Sequence, residues 1–216
     1  ASRWYIHEDI YDQFVEKAIA TFNATKVHNG TNPESEMGPI CTEKQLNRVL
    51  HCIDDAKQQG ATILCGGNRL TEGDYKNGYF VEPTLLAGSD DNHWAQEEIF
   101  GPVLTVYPYD ARKFEEVLKI VDSTSPYALT GAIFATDRAA VDTATNMLRN
   151  SAGNFYIHDT QTGAVVGQQP FGGGRASGTN DKAGSMVNLY RWLSPRTIKE
   201  TFNAPSEYGY PFLEEK

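Results

Sequence analysis

Hydrophobic positions along the chain recur at two spacings, and segments of the two kinds alternate. Spacings of three and four residues place apolar side chains on one face of a helix, whereas short continuous apolar runs are typical of buried strands. The predicted helices contain the apolar sets Ile10/Phe14/Ile19/Phe22, Leu46/Val49/Leu50/Ile53, Phe114/Val117/Leu118/Val121 and Val141/Ala144/Leu148. The predicted strands are residues 4–6, 61–65, 103–107, 130–134 and 154–157. This alternation predicts an α/β fold, in which an open sheet has flanking helices.

Two of these helices carry signals for where they begin and end. Asp9 begins the first helix, and the turn-forming segment 29–33 ends it. In the second helix, Thr42 and Gln45 form the S/T-x-x-E/Q pattern of a capping box. Gly60 then provides the C-terminal stop.

The end of the chain differs in character from the rest. We expect residues 1–193 to belong to one folded domain and residues 194–216 to form a strand and a surface tail. The segment 194–202 is predicted to be the strand, and Pro195 confines it to a strand start or a sheet edge. An edge strand of this kind can pair with a partner subunit.

The charge balance excludes two classes of partner. The 216 residues contain 19 Lys and Arg against 28 Asp and Glu, which gives a formal net charge of −9. An acidic chain without a basic cluster lacks the charge that binding to nucleic-acid phosphates needs. No apolar run approaches the roughly 18 residues of a membrane span. We therefore expect neither nucleic acid nor a membrane as a partner, and 40% hydrophobic residues suffice for a core.

Two glutamates and a phenylalanine precede the strand 103–107, in the run Glu97-Glu98-Ile99-Phe100-Gly101-Pro102. Alternation along an extended segment would place Glu98 and Phe100 on the same side, where a carboxylate and a ring clamp one ligand. A carboxylate accepts hydrogen bonds from two ribose hydroxyls. A solvated helix end is the alternative for paired glutamates. The position at a strand end favours the ligand clamp, because such loops bind ligands in α/β folds.

A glycine-rich segment follows the last of these strands, and seven of the 19 glycines lie between Gly163 and Gly184. Neither the G-x-x-x-x-G-K-S/T pattern nor the G-x-G-x-x-G pattern occurs there, so a phosphate-binding loop is not expected. Successive backbone N–H groups at Gly163 and Ala164 instead predict a small nest for a carboxylate. A tight structural turn is the alternative that glycine content leaves open.

The chain has no evident catalytic nucleophile or metal site. Its five histidines have no ligand spacing with one another or with cysteine. Cys41, Cys52 and Cys65 have no C-x-x-C spacing, which indicates reduced thiols in an intracellular protein. Cys65 lies in an apolar run, where a thiol is inert. No serine lies in a G-x-S-x-G pattern.

Several segments resemble one family in their order and spacing. Those that resemble the C-terminal half of the NAD(P)-dependent aldehyde dehydrogenases are residues 1–14, 97–103, 170–173 and 177–178. Those that resemble one subfamily, the Δ1-pyrroline-5-carboxylate dehydrogenases, are residues 153–157, 162–173, 175–182, 191–192 and 194–195. The resemblance extends over essentially the whole chain and identifies it as a member of that family.

The resemblance assigns roles to residues of this chain. Glu98 and Phe100 match the residues that contact the ribose and nicotinamide side of NAD. Gly163 and Ala164 match the loop whose amides hold the α-carboxylate of the substrate. Phe171 matches an aromatic residue beside the aliphatic chain of the substrate. Some family members have Ser in place of Ala164, so an additional hydroxyl contact is absent here.

The resemblance also accounts for the missing nucleophile. The catalytic cysteine of the family lies a few residues before the Ser-Arg that matches Ser2-Arg3, which places it upstream of Ala1. No catalytic residue is therefore expected within this chain, and the chain alone is expected to be inactive. Its expected partners are the remainder of the parent enzyme and further copies in a homodimer or larger homo-oligomer.

The activity implied by the resemblance is the NAD-dependent oxidation of L-glutamate γ-semialdehyde to L-glutamate in proline catabolism. No metal is expected. The expected location is the mitochondrial matrix in a eukaryote and the cytoplasm in a bacterium. Two alternatives stay open: an aldehyde dehydrogenase for another semialdehyde, and a non-catalytic interaction module that resembles an aldehyde dehydrogenase.

Overall fold

The computed structural model describes residues 1–88, 93–204, 206–209 and 212, and it contains both helices and strands, as predicted. The strands are β1 (Arg3–His7), β2 (Thr62–Cys65), β3 (Arg69–Leu70), β4 (Phe80–Val81), β5 (Thr84–Ala87), β6 (Val103–Tyr109), β7 (Tyr127–Ala128), β8 (Thr130–Ile133), β9 (Asn154–Ile157) and β10 (Gly174–Arg175). The helices are α1 (Glu8–Ala24), α2 (Glu43–Gln58), α3 (His93–Gln96), α4 (Phe114–Ser123), α5 (Arg138–Met147) and α6 (Met186–Leu189), with 3₁₀ turns at Gly73–Tyr75, Ala111–Lys113 and Tyr190–Trp192. Within the described ranges, no helix has the length and apolar character needed to cross a bilayer.

The largest sheet among the described residues has four strands in the order β1-β6-β5-β2. β6 is parallel to both of its neighbours, and its Thr105 pairs with Arg3 of β1 on one side and with Leu86 of β5 on the other. β2 is an antiparallel edge strand beside β5. β6 is therefore the central strand to which the N-terminal strand and β5 are joined.

Different helices cover the two faces of this sheet. Leu85 of β5 packs with α1 in one buried cluster, whereas its neighbour Leu86 packs with α2 in another. Successive side chains of a strand point to opposite faces, so the pleat itself produces this division. The two leucines are 0% and 1% exposed. As predicted, helices flank this sheet.

The strands β8 and β9 form a separate parallel pair. Ile133 and Phe155 of this pair pack against Leu118, Ala144 and Leu148 of the α4 and α5 region. The prediction of a single open sheet is wrong here, because no hydrogen-bonded ladder among the described residues joins β8 or β9 to the four-stranded sheet. The apolar runs predict that strands exist, but the contacts between distant segments decide which strands pair.

One predicted boundary is also wrong. α1 ends at Ala24 rather than at residues 29–33, and the backbone N–H of Lys26 donates to the Glu36 carboxylate at 2.8 Å instead of continuing the helix. The segment 194–202, predicted as a strand that can pair with a partner subunit, is exposed and has no regular secondary structure in the single chain, so this pairing stays a prediction. A strand needs a hydrogen-bonded neighbour, and none of the described strands pairs with this segment.

The N-terminal cap of α2 is formed by Thr42, as predicted, and its contribution can be measured. Its Oγ1 accepts a hydrogen bond from the Gln45 N–H at 3.2 Å. We expect Thr42→Ala to lower the free energy of unfolding by about 1 kcal/mol, because an amide at the helix start loses its acceptor. Urea unfolding of the full-length protein that contains this chain measures the change. The exposed Thr31→Ala is the matched control, and equal changes in the two variants would contradict the capping role.

Candidate active site

The segment 97–101 lies between α3 and β6 and packs against α2. Ile99 is 5% exposed and belongs to the core cluster that α2 forms with the sheet. Its neighbours Glu98 and Phe100 are both exposed, and Phe100 retains 77% of its accessible surface. The buried residue in the middle therefore anchors the segment, while the carboxylate and the ring singled out from the sequence remain at the surface.

Gln45 of α2 holds the backbone of this segment. Its side-chain Nε2 donates to the carbonyl oxygens of Ile99 at 3.1 Å and Phe100 at 3.0 Å. Phe100 has a φ of 60°, a left-handed conformation that non-glycine residues rarely adopt, so the extended backbone predicted for this segment is wrong at Phe100. At Gly101, an added Cβ would lie 2.5 Å from Val49 Cγ2. The hydrogen bonds from the Gln45 side-chain amide and the close packing at Gly101 stabilise the left-handed backbone conformation of Phe100.

The two glutamates of the segment have different surroundings. The Glu97 carboxylate lies 3.3 Å from Arg48 Nη2 and 2.9 Å from His93 Nε2. Arg48 Nη2 also donates to the Glu98 carbonyl oxygen at 3.3 Å. Among the described contacts, the Glu98 carboxylate accepts no hydrogen bond and forms no ion pair; burial lowers the pKa of the Ala1 ammonium, and the negative charge of Glu98 opposes this shift. Glu97 thus fixes the segment to α2, and Glu98 is left to accept hydrogen bonds from a ligand.

The turn at Gly163 and Ala164 presents two neighbouring amides. Gly163 is exposed with a φ of 80°, and Ala164 is half-buried. In the described part of the chain neither N–H donates a hydrogen bond, whereas the N–H groups of Gln168 and Gln169 both donate to the Val165 carbonyl, at 3.0 and 2.9 Å. Uncommitted amides beside a left-handed residue are the donors that an anion nest requires.

Phe171 is held in place from two sides. Its N–H donates to the Ala183 carbonyl at 2.9 Å, and its carbonyl accepts from the Ala183 N–H at 2.7 Å. Asn154 of β9 accepts from the Gly172 N–H at 3.1 Å and donates from Nδ2 to the Pro170 carbonyl at 3.2 Å. The hydrophobic pattern of the sequence does not identify Asn154 as a residue that positions this loop, because a polar residue at the start of a predicted strand is not part of that pattern.

An ion pair fixes the turn that follows the Phe171 loop. Arg175 of β10 donates to the Asp122 carbonyl oxygen at 2.6 Å and to the Asp122 carboxylate at 2.5 Å. The Ser151 hydroxyl donates to the same carboxylate. The Ser151 hydroxyl first, and the Arg175 guanidinium second, hold the pKa of Asp122 below its usual range. The carboxylate stays ionised at neutral pH and ties the end of α4 to β10.

The structure does not join the two halves of the candidate site. No hydrogen bond or ion pair between described residues connects segment 97–101 with segment 163–175. Burial raises the pKa values of the Cys52 and Cys65 thiols, which disfavours the thiolate form that a nucleophile needs. The described ranges contain no cluster of three or more His, Cys, Asp or Glu side chains that could hold a metal ion.

Gly153 lies where the start of β9 meets the Phe171 loop. An added Cβ would lie 1.9 Å from the Gly172 carbonyl oxygen. We expect Gly153→Ala to displace the loop and to lower the free energy of unfolding by about 1–3 kcal/mol. Gly131→Ala on β8 is the matched control, because its Cβ would meet only Ala152 Cβ, at 3.5 Å. Thermal unfolding of the full-length protein measures both variants, and the same Tm for both would contradict this close approach.

Comparison with known proteins places these two regions in a family. The sequence profile of the aldehyde dehydrogenase family matches residues 1–198. The mitochondrial Δ1-pyrroline-5-carboxylate dehydrogenase of Dictyostelium discoideum is 48% identical over 214 residues, which cover 98% of this chain and 38% of the relative. The mitochondrial Δ1-pyrroline-5-carboxylate dehydrogenase of Homo sapiens is 41% identical over 219 residues, which cover 99% and 38%. The chain thus spans about 38% of the length of these curated relatives.

The fold of this chain is also similar to solved structures of aldehyde dehydrogenases. A crystal structure of the Δ-pyrroline-5-carboxylate dehydrogenase of Mycobacterium tuberculosis, bound with NAD and cobalamin, has a TM-score of 0.81 at 40% identity and covers 99% of this chain and 39% of that chain. Betaine aldehyde dehydrogenase of Staphylococcus aureus in complex with NAD⁺ has a TM-score of 0.84 at 30% identity and covers 97% and 40%. This chain belongs to the aldehyde dehydrogenase family.

Proposed function

We propose that this chain is the C-terminal part of an NAD-dependent Δ1-pyrroline-5-carboxylate dehydrogenase, which oxidises L-glutamate γ-semialdehyde to L-glutamate in proline catabolism. The observation that carries this proposal is that identity to relatives of that name exceeds identity to the betaine aldehyde dehydrogenase structure. The catalytic cysteine is then supplied by the part of the parent enzyme that precedes Ala1. The chain supplies the substrate anchor and one wall of the cofactor site.

The substrate anchor is the nest at Gly163 and Ala164. Its two amides donate to the α-carboxylate of the substrate, and charge-assisted bonds of this kind are stronger than neutral ones. Phe171 packs beside the aliphatic chain, because hydrogen bonds to Ala183 and Asn154 keep its loop in place. A substrate held at both points presents its aldehyde in a fixed direction, which favours attack by the cysteine of the parent enzyme.

The cofactor wall is the pair Glu98 and Phe100. The Glu98 carboxylate would accept hydrogen bonds from the hydroxyl groups of the nicotinamide ribose, and the exposed Phe100 ring would pack against the same part of the cofactor. An uncommitted carboxylate and an exposed ring on one anchored segment fit this task. NAD, when bound, would supply the hydride acceptor for oxidation of the substrate after the cysteine of the parent enzyme has added to it. The contacts from Gln45 and Arg48 set where this wall lies relative to α2.

We also propose a homodimer or larger homo-oligomer, with its contact near the C-terminal end. Trp192, Ile198 and Phe202 are 82%, 74% and 90% exposed. Exposed apolar patches of this kind mark interaction sites. In this proposal residues 1–193 belong to the catalytic domain, and the segment 194–202 becomes a strand when it pairs with a second copy. The proposed compartment is the mitochondrial matrix if the source is a eukaryote and the cytoplasm if it is a bacterium.

The substrate class is tested with the full-length enzyme that contains this chain. With NAD, kcat/KM for L-glutamate γ-semialdehyde should exceed kcat/KM for butanal by about 100-fold or more, because butanal lacks the carboxylate that the two amides hold. L-Glutamate should inhibit in competition with the semialdehyde. The 216-residue chain alone should show no turnover.

Other results would support the alternatives. Equal kcat/KM values for the two aldehydes, without inhibition by L-glutamate, would indicate an aldehyde dehydrogenase for another semialdehyde. A full-length protein with no dehydrogenase turnover would indicate a non-catalytic interaction module.

The cofactor wall is tested separately through Gln45→Met, which keeps the side-chain size but removes the amide that holds Ile99 and Phe100. We expect the KM for NAD to rise about tenfold in the full-length enzyme, while the KM for the semialdehyde changes less than about twofold. Gln58→Met, at the exposed end of α2, is the matched control. Steady-state kinetics with each substrate varied in turn measure both constants, and a parallel rise in both would contradict the separate positioning of the cofactor wall.

A further inference from the structure

The ammonium group of Lys182 lies behind the Phe171 loop. Its Nζ donates to the Gly153 carbonyl at 2.5 Å, to the Gly172 carbonyl at 3.4 Å and to Asn154 Oδ1 at 3.5 Å. An ammonium has three donors, so these three neutral oxygens account for all of them. Among the described residues, no carboxylate lies within ion-pair distance of Lys182. The Lys182 ammonium therefore binds main-chain and side-chain amide oxygens and forms no salt bridge with a described residue.

The backbone at this position is strained. Lys182 has a φ of 57°, and Asn180 has a φ of 56°. Non-glycine residues in the left-handed region persist only where their surroundings fix them. The backbone alone favours glycine at residue 182, so the three ammonium contacts are what the lysine side chain adds.

The turn that begins at Lys182 pairs with Phe171 and lies beside the loop that follows the nest. The Lys182 carbonyl accepts from the Ser185 N–H at 3.1 Å and from the Ser185 hydroxyl at 2.7 Å, which closes the turn. Within it, Ala183 pairs with Phe171 through the two main-chain bonds described above. A Cβ on Gly184 would lie 3.4 Å from Val166 Cγ1, in the loop that follows the nest.

We propose that Lys182 is a positioning residue of the substrate site. Its ammonium ties the start of β9 to the Phe171 loop and, through its own turn, fixes where Phe171 and the loop that follows the nest at 163–164 lie. Lys182 touches no substrate atom in this role and acts only through these groups. The inference rests on the proposed function, because it assumes that the nest and Phe171 hold the substrate.

The test compares Lys182→Met with the wild type in the full-length enzyme. Methionine keeps much of the aliphatic stem but has no donors, so the KM for the semialdehyde should rise about tenfold. The kcat should change less than about threefold, and the KM for NAD less than about twofold, because the cofactor wall is anchored on α2. Lys182→Arg, which keeps charge and donors in a different geometry, should raise the KM for the semialdehyde less. Lys119→Met, exposed on α4, removes a lysine charge elsewhere and should change neither KM.

Two patterns would overturn the role. A parallel rise in the KM values for NAD and the semialdehyde would indicate a general structural contribution, and unchanged KM values would indicate none. If Lys182→Met gives no folded enzyme, Lys182→Arg is measured alone. It should then raise the KM for the semialdehyde about two- to fivefold without changing the KM for NAD, since guanidinium cannot reproduce the geometry of the three ammonium contacts. No change or a parallel change would overturn the proposal.

The activity of the wild type distinguishes a failure of this inference from a failure of the proposed function. If the wild type does not oxidise the semialdehyde, the proposed function fails, and the same KM criterion is applied to the aldehyde that the enzyme does oxidise. If the wild type oxidises the semialdehyde and Lys182→Met has an unchanged KM, the role of Lys182 fails and the proposed function stands.

Discussion

Burial of β5 and β6 on both faces is the constraint on which the rest of the described chain depends. The side chain of Leu85 packs against α1 and that of Leu86 packs against α2, so both helices are held on the sheet. A fixed α2 in turn gives Gln45 and Arg48 fixed positions above the segment that leads into β6. The cofactor wall is thus positioned by the packing of the sheet rather than by contacts of its own exposed side chains.

In the proposed substrate region, hydrogen bonds between polar groups take the place of a buried hydrophobic core. Its loops are too rich in glycine to be held by side-chain packing, so hydrogen bonds fix them to β9. Asn154 and Lys182 hold the loop on one side, and the Arg175–Asp122 pair holds the turn that follows it. The small size of Gly153 is needed because two main chains approach each other there. The groups proposed to contact a ligand remain uncommitted because other residues stabilise the structure.

Local features of the sequence predict much of this architecture. The spacing of Leu46, Val49 and Ile53 predicts α2, and the Thr42 cap is confirmed. β5 was not predicted because its apolar run has only three residues, Leu85 to Ala87, between Thr84 and Gly88.

The contacts that form the candidate site join segments that are distant in the sequence, so local sequence patterns do not predict them. Gln45, which in a capping box would turn back to the helix start, instead reaches the carbonyls of Ile99 and Phe100, more than 50 residues away. Nothing in the local sequence marks Phe100 as left-handed. The roles assigned to Glu98, Gly163 and Ala164 came from residue chemistry and family resemblance together, and they remain predictions.

The most direct test of the central claim is a crystal structure of the full-length enzyme with NAD and L-glutamate bound. The account predicts the α-carboxylate of glutamate at about 3 Å from the backbone nitrogens of Gly163 and Ala164, with the nicotinamide ribose hydroxyls at a similar distance from the Glu98 carboxylate. Glutamate bound away from that turn, or a ribose that does not reach Glu98, would contradict it.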